Sequence, residues 1–206
     1  MAASPLIVGI GGTPRSDSTT ERCLRLALDR AQALGCRTLL VPGPELPREI
    51  FDVGAGQVRS AQAAALVEAV RQADGLILAT PSYHGSISGL IKNALDYIED
   101  LREDRRVYLQ DRAVGCIVCA EGPQALGSTL AALRSVVHAL RGWPTPFGAA
   151  VNTAARPFDA SGGVQDDAVR RACETVAEEV VQFTRRWNAP VGPVSSVPAA
   201  PPLPRP

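Results

Sequence analysis

The feature that most constrains this chain is a regular alternation between short, uninterrupted apolar segments and segments with apolar residues at helical spacing. The first apolar segment, residues 6–10, reads Leu-Ile-Val-Gly-Ile. In residues 24–34, which come later in the chain, the apolar residues recur at the spacing of a helix. A strand buried on both faces of a sheet is apolar throughout, whereas a half-exposed strand alternates. The pattern therefore predicts parallel strands covered by helices on both sides. Further apolar segments lie at residues 38–41, 75–79 and 114–120 and within 146–151.

Five strands alternating with helices predict a doubly wound α/β fold. We expect a flavodoxin-like sheet of five parallel strands in the order 2-1-3-4-5, with helices on both faces. Gly35 and Gly142 are expected to end the helices before them. Residues 99–112 mix both charges and are expected to be a solvated helix end. The other helical stripes lie within residues 61–73, 90–98, 130–140 and 166–187.

The charge balance excludes several classes of partner. The chain has 21 basic and 21 acidic residues, and its sequence pI is about 6.7, so the broad basic face of a nucleic-acid binder is not expected. No apolar stretch approaches the roughly 20 residues of a membrane helix. These features predict a soluble, cytoplasmic protein that binds neither nucleic acid nor membrane.

The five cysteines are predicted to be buried thiols. They stand at positions 23, 36, 116, 119 and 173, mostly inside apolar segments, which is typical of a reducing compartment. Cys116 and Cys119 have the spacing of a metal or redox pair, but residues three apart on a strand point to opposite faces. We therefore expect both to pack in the core.

The end of the chain differs in composition from the rest. Residues 188–206 contain seven of the 17 prolines and few residues that could form a core. We therefore expect residues 1–187 to form one domain and residues 188–206 to be a disordered tail. A proline-motif ligand for another domain is the alternative interpretation of the same residues.

In a doubly wound sheet, ligands bind beyond the carboxyl ends of the strands where the strand order reverses. The loop after the first strand runs from Gly11 to Thr20 and offers backbone N–H groups, hydroxyls, an arginine and a helix start. These are the groups that bind a phosphate. A capped turn without a ligand is the alternative, because Ser18 and Glu21 also form a capping-box pattern.

Two common glycine-rich loops do not fit this segment. The chain lacks the Gly-Lys-Ser/Thr of a P-loop. Pro14 stands where the dinucleotide fingerprint requires its third glycine, and no ribose-binding acid follows the second strand. A mononucleotide is therefore favoured.

The loops after the third and fourth predicted strands complete the candidate site. Residues 80–89 contain glycines that let the backbone approach a flat ligand, and residues 120–124 form a Gly-Pro turn. Tyr83 or His84 could pack on a ring, although His84 could equally be a structural loop residue. The Gly-x-Ser-x-Gly of a serine hydrolase is not matched, because Ile87 occupies its centre. His138 is expected to be an ordinary surface residue on a helix.

Two of these segments resemble a known family. Residues 12–20, Gly-Thr-Pro-Arg-Ser-Asp-Ser-Thr-Thr, are similar to the Gly-Ser-x-Arg-x-x-Ser-x-Asn/Thr phosphate loop of the NAD(P)H-dependent FMN reductases. Residues 80–96, Thr-Pro-Ser-Tyr-His-Gly-Ser-Ile-Ser-Gly-Leu-Ile-Lys-Asn-Ala-Leu-Asp, resemble the flavin-ring loop and following helix of that family. The likeness runs from about residue 6 to 187, and it is greatest to the branch that supplies reduced flavin to monooxygenases.

The resemblance implies an FMN site made by the three loops. It departs from the family pattern at Ser82, where many relatives carry an acid, and at His84, where many carry Asn. The residues that it places on the FMN phosphate are Thr13, Arg15, Ser18, Thr19 and Thr20. Those that it places on the flavin ring are Pro81, Ser82, Tyr83, His84, Gly85 and Ser86, with Ala120, Glu121, Gly122 and Pro123 at the pyrimidine edge.

The implied activity is reduction of FMN by NADPH or NADH, with hydride passing directly between the rings. No catalytic side chain is required, and no metal is expected. Reduced FMN would supply a partner monooxygenase, and the protein would be a homodimer or homotetramer. One alternative keeps FMN bound and reduces a quinone, azo or nitro compound. A flavodoxin-like electron carrier is less favoured, because such carriers present an acidic face and this chain is neutral.

Overall fold

A parallel β-sheet forms the centre of the computed structural model, which describes residues 4–55 and 59–189. Its strands are β1 (Leu6–Gly11), β2 (Arg37–Val41), β3 (Gly75–Tyr83), β4 (Ser86–Ile87), β5 (Ala113–Ala120) and β6 (Trp143–Asn152). Their order is β2-β1-β3-β5-β6, and the short β4 pairs antiparallel with the end of β3. Because β4 is a side branch, the predicted order of five parallel strands is confirmed.

Helices cover both faces of the sheet, as predicted. They are α1 (Thr19–Ala33), α2 (Ala61–Gln72), α3 (Gly89–Asp96), α4 (Leu126–Ala139) and α5 (Asp167–Trp187). One core cluster holds the apolar side chains of α2, α3 and α4, and the second holds those of α1 and α5. Every residue of β1 and β5 is buried, which explains why their sequences are apolar throughout.

The cysteines are all buried and free. Cys116 lies in one core cluster and Cys119 in the other, so the prediction that they face opposite sides of β5 is confirmed. Cys119 instead approaches Cys23, with 4.0 Å between the two sulfurs. Hydrogen bonding with Cys119 and Cys173, together with burial, raises the pKa of the Cys23 thiol. These thiols are therefore core residues.

The helix ends follow the expected capping rules with one exception. The backbone of Gly35, with a φ of 84°, follows the end of α1, and the Asp166 carboxylate accepts hydrogen bonds from Ala168 N and Val169 N at the start of α5. Gly142 is expected to end the helix before it, but α4 ends at Ala139 and the left-handed backbone after it belongs to Arg141, with a φ of 63°. Gly142 is instead buried against Val137 and Leu109.

The expectation of a solvated helix end at residues 99–112 is also wrong. Helix α3 ends at Asp96, and a 3-10 turn and further turns follow. Arg112 is buried, and its guanidinium donates to the carbonyl oxygens of Ala73, Arg71 and Tyr108 at 2.9–3.0 Å. Burial, with a smaller effect of Arg106, lowers the pKa of Arg112 to about 10. Arg112 thus satisfies main-chain acceptors inside the fold, which a mixed-charge sequence does not reveal.

Two other expectations concern the whole chain. Within the described ranges, no helix has the length and apolar character needed to cross a membrane. Helix α5 ends at Trp187, where the predicted domain ends. Residues 190–206 lie outside the described residues, so the prediction of a disordered tail stays a prediction.

The segment after β2 packs tightly under the loop that follows β1. Gly43 lies in a 3-10 turn there, and a Cβ built on it would overlap the carbonyl oxygen of Thr13. Both groups belong to backbone, so neither can rotate away. The position of Thr13 therefore depends on the absence of a side chain at Gly43.

We predict that Gly43→Ala lowers the free energy of unfolding by about 1–3 kcal/mol, because overpacking forces the backbone to shift. The matched control is Gly127→Ala in α4, where an added Cβ meets no atom within 4 Å and helix propensity favours alanine. Chemical denaturation of both variants measures the difference. Equal stability of Gly43→Ala and the wild type would contradict the close approach.

Candidate functional site

The three predicted loops follow neighbouring strands and lie at one edge of the sheet. Strand β3 is hydrogen-bonded to β1 on one side and to β5 on the other, and all three run in the same direction. Their last residues are in register, with Gly11 opposite Ala79 and Pro81 opposite Cys119. The carboxyl ends of the strands thus bring residues 12–20, 80–89 and 120–124 together, as the sequence predicts.

The first loop has a fixed backbone at its start and an exposed arginine, Arg15, in its middle. Gly12 N donates to Ala79 O at 2.7 Å, which ties the loop to β3. Thr13 is 3% exposed, and its hydroxyl accepts from Arg15 N at 3.2 Å. The Arg15 side chain is exposed and makes no hydrogen bond to the described residues. Arg15 is therefore available to an anion.

Hydroxyl-bearing residues lead from this loop into α1. Ser18 caps the helix, since its Oγ accepts from Glu21 N at 3.3 Å. Glu21 completes the predicted capping pattern by accepting from Asp17 N at 3.3 Å. Thr19 is half-buried, whereas Thr20 is buried with 4% exposure. The predicted phosphate residues are thus brought together, but Thr13 and Thr20 lie beneath the loop surface.

The two acidic side chains near this loop are neutralised by arginines of α1. Arg22 pairs with Asp17, with 2.5 Å between the nearest nitrogen and oxygen atoms, and its hydrogen bond lowers the pKa of that carboxyl group. Arg25 pairs with Glu21 at 2.6 Å. The positive charge of Arg15 and the positive end of the α1 dipole are consequently opposed less by Asp17 and Glu21 than they would be by unpaired carboxylates.

The second loop is a β-hairpin, whereas the sequence predicts only an irregular loop. Strand β3 continues to Tyr83, and β4 returns from Ser86. His84 and Gly85 form the turn, with φ of 53° and 82°, as in the two-residue turns whose twist matches that of paired strands. The left-handed backbone at position 85 explains why a glycine stands there. His84 is therefore a turn residue with an exposed side chain.

Side chains of α4 anchor this hairpin to the rest of the fold. The hydroxyls of Ser82 and Thr129 are 2.7 Å apart, and Ser128 Oγ donates to Gly85 O at 3.1 Å. Tyr83 is 49% exposed at the hairpin tip, and Pro81 is buried at its base. The hairpin thus presents exposed side chains on a fixed backbone.

Ser88 connects the first loop to the second. It is 2% exposed, and its hydroxyl donates to Gly12 O at 2.7 Å while accepting from Ile91 N at 3.2 Å as the N-cap of α3. Its own N–H donates to Thr80 Oγ1 at 3.1 Å. One buried side chain therefore joins the start of the first loop, the end of the hairpin and a helix.

Asn152, at the end of β6, anchors the third loop. Gly122, with a φ of 106°, donates its N–H to Asn152 Oδ1 at 3.0 Å, and Ala154 N donates to the same oxygen at 3.1 Å. Ala120 is buried, while Glu121 and Pro123 are exposed. The predicted residues of this loop therefore lie at the same edge as the hairpin.

Sequence reasoning missed the residues that hold the loops. Thr129 and Asn152 are distant in sequence from the loops they anchor, and a single Thr on a helix or Asn at a strand end gives no motif. Ser88 was detectable in principle, since Ser-x-x-Ile before a helical stripe is an N-cap signal. Asn93 was visible in the family-like stretch, and the structure shows that its amide binds Phe51 N and Glu49 O at 2.8 and 2.9 Å.

The site is an open edge rather than an enclosed cavity. A cleft of about 780 Å³ lies elsewhere, between α2 and residues 99–104. No group of three or more potential metal ligands occurs in the described part of the chain, and His138 is an exposed residue of α4. The arrangement suits a ligand with an anionic end at Arg15 and a flat end between the hairpin and the third loop.

Comparison with known proteins agrees with this geometry. A model of the family described as NADPH-dependent FMN reductase matches residues 5–156. An FMN-dependent NADPH-azoreductase of Staphylococcus haemolyticus is 31% identical over 125 residues, which are 60% of this chain and 62% of that protein. One from Staphylococcus aureus is 32% identical over 127 residues, 61% of this chain and 63% of that protein. The matches thus span less than two thirds of the curated relatives.

Solved structures with the same fold are also found. FerB, a flavoenzyme NAD(P)H:(acceptor) oxidoreductase from Paracoccus denitrificans, superposes with a TM-score of 0.71 at 18% identity, covering 88% of this chain and 98% of that one. An apo NADH:FMN oxidoreductase (EMOB) superposes with a TM-score of 0.66 at 25% identity, covering 95% and 92%. The first shows likeness of fold, which confirms the flavodoxin-like prediction.

We predict that Ser88→Ala lowers the free energy of unfolding by about 2 kcal/mol or more. The substitution removes a helix cap and leaves the buried Gly12 carbonyl without its donor. The control is Ser135→Ala, because Ser135 is exposed on α4 and surface substitutions of this kind cost within about 0.5 kcal/mol. Denaturant titration measures the free energy of unfolding of both variants. If Ser88→Ala lowered it no more than Ser135→Ala does, the proposed role of Ser88 in joining the two loops would be contradicted.

Proposed function

The chain belongs to the NADPH-dependent FMN reductase family, and on that premise we propose that it is an NAD(P)H-dependent oxidoreductase that reduces FMN at the edge formed by the three loops. The observation that carries the proposal is the convergence of a helix start, an uncommitted arginine and two glycine-containing turns at the carboxyl ends of β1, β3 and β5. In a doubly wound sheet this is the position of ligand sites.

The first loop fits the phosphate of FMN. Arg15 has no partner among the described residues, and the nearby carboxylates of Asp17 and Glu21 are paired with arginines. A helix start offers N–H groups and a favourable dipole to a dianion. We therefore propose that Thr13, Arg15, Ser18, Thr19 and Thr20 hold the phosphate, with Arg15 supplying the charge.

The hairpin and the third loop fit the flavin ring. A Cβ built on Gly85 or on Gly122 would meet no described atom within 4 Å, so space lies beside both turns. The ring would lie between them, with residues 81–86 on one side and residues 120–123 at the pyrimidine edge. Tyr83 supplies an exposed aromatic face at the hairpin tip.

FMN held by the three loops would supply the redox chemistry, namely hydride uptake from a nicotinamide and electron transfer to an acceptor. The chain's own contribution is placement of the two rings, which needs rigid loops and no acid or nucleophile. The Ser82–Thr129, Ser128–Gly85 and Asn152–Gly122 hydrogen bonds provide this rigidity. We accordingly assign no catalytic side chain.

Reduced FMN can pass its electrons to either of two kinds of acceptor. We propose that FMN exchanges and that its reduced form supplies a partner flavin-dependent monooxygenase, since the open edge and the exposed Arg15 favour exchange. The second candidate retains FMN and reduces an azo, quinone or nitro compound, and the names of the staphylococcal relatives favour it. We propose NADPH or NADH as the hydride donor, and a homodimeric or homotetrameric assembly stays a prediction.

We predict that Arg15→Ala weakens FMN binding about tenfold or more, because a charge-assisted phosphate contact contributes roughly 1.5–3 kcal/mol. Flavin fluorescence titration measures the dissociation constant. Arg171→Ala is the matched control, as Arg171 is an exposed arginine of α5 far along the chain from the loops. An unchanged FMN constant in Arg15→Ala would contradict the placement of the phosphate.

We predict that oxidation of NADPH or NADH by the purified protein rises saturably with added free FMN and that gel filtration removes the flavin. Anaerobic turnover with FMN alone is compared with turnover in the presence of an azo dye or a quinone. A yellow protein whose azo reduction is independent of added FMN would favour the second candidate. Failure to oxidise either nicotinamide in the presence of FMN would contradict both and favour an electron carrier.

A further inference from the structure

Three aromatic side chains form a stacked surface at the other edge of the sheet. Phe183 and Trp187 of α5 are parallel within 8° with ring centroids 5.5 Å apart, and Trp143 of β6 lies 5.9 Å from each. Trp143 is 50% exposed and Trp187 is 49% exposed. We call this group the aromatic cleft.

The aromatic cleft is remote from the proposed flavin site. Its volume is about 560 Å³. Trp143 is the first residue of β6, so the cleft lies at the amino ends of the parallel strands. The three site loops follow the carboxyl ends of β1, β3 and β5, which are at the opposite end of the sheet. The remaining lining residues are Pro144, Thr145, Pro146, Glu179, Gln182 and Arg186.

The edge strand beside the aromatic cleft is blocked against addition of another strand. Pro144 and Pro146 have no N–H group, and the pairing register of β6 shifts between Pro144 and Gly148. The N–H of Phe147 is already donated to Glu179 Oε2 at 2.8 Å. Since edge prolines and bulges prevent strand pairing, an occupant must be recognised by the aromatic side chains.

Clefts lined with aromatic side chains bind proline-rich segments in the polyproline II conformation, in which every third residue lies on the same edge. This chain contains such a segment after α5. Pro198, Pro201 and Pro204 recur at intervals of three, and Arg205 follows them. In that conformation the three prolines form one ridge, and the arginine adds a charge opposite to that of Glu179.

We propose that the aromatic cleft binds the chain's own proline-rich segment, residues 190–206, with the proline ridge on the rings of Trp143 and Trp187. The segment follows Trp187 by three residues, so covalent attachment holds it at a high effective concentration near the cleft. The nine residues 189–197, which precede Pro198, can extend roughly 28 Å at about 3.1 Å per residue.

The proposal is independent of the flavin chemistry, because it concerns the opposite edge of the sheet. Its test also needs no flavin. The chain has two tryptophans, and both line the aromatic cleft, so intrinsic tryptophan emission reports on the cleft alone. Collisional quenching by acrylamide in flavin-free protein then measures how well the rings are covered.

The variant that removes the ridge carries Pro198→Ser, Pro201→Ser and Pro204→Ser in the full chain. The matched control carries Ala199→Ser, Ala200→Ser and Pro202→Ser, which changes as many residues of the same segment but leaves the ridge. The quenching constant of the ridge variant should rise about twofold, with a red shift of the emission, because half-exposed rings lose their cover. The control should match the wild type, and FMN reduction should be equal in all three proteins.

A synthetic peptide of residues 190–206, added to the ridge variant, should restore protection saturably, and the same peptide with the three ridge prolines replaced by serine should not. Equal quenching of ridge variant and wild type would overturn the proposal. Protection that appears only as protein concentration rises, together with a doubled mass in light scattering, would overturn it as well, since a second copy would then cover the aromatic cleft.

Discussion

The site depends above all on the hydroxyl of Ser88. This group donates to Gly12 O and accepts from Ile91 N in the first turn of α3, while the backbone N–H of Ser88 donates to the Thr80 hydroxyl in β3. Because it is buried, each of these hydrogen bonds is shielded from competing water, and a lost partner is costly. The loop after β1 and the hairpin after β3 are therefore positioned by a common side chain, which fixes the distance between the two ends of any ligand that spans them.

Local charge pairing decides the electrostatics of the site more than the neutral balance of the whole chain does. Asp17 and Glu21 lie closest to the start of α1, and each is held by an arginine one or more turns along the same helix. Arg112 shows the opposite case, since its charge is enclosed by carbonyl oxygens and serves the fold alone. Arg15 differs from both, since its side chain is exposed and has no hydrogen-bond partner among the described residues.

The sequence predicts the sheet, its strand order and the two helical layers, because parallel strands that are buried on both faces consist of uninterrupted apolar residues. It also predicts which loops meet, since strand order determines that. It fails at residues 97–112 and at the hairpin. In these two segments, main-chain hydrogen bonds and the positive φ angles of His84, Tyr108 and Asp111 decide the structure, and neither has a periodic signature. The anchors Thr129 and Asn152 were missed because their partners are distant in sequence.

In the hairpin, the shape of the backbone at the turn of His84 and Gly85 does not depend on the exposed side chains. Its shape is set by two left-handed residues and by the hydroxyls of Ser82 and Ser128, while the side chains of Tyr83, His84 and Ser86 are exposed. Tyr83 and Ser86 can therefore be exchanged without removing the side-chain hydrogen bonds that hold the backbone of the hairpin.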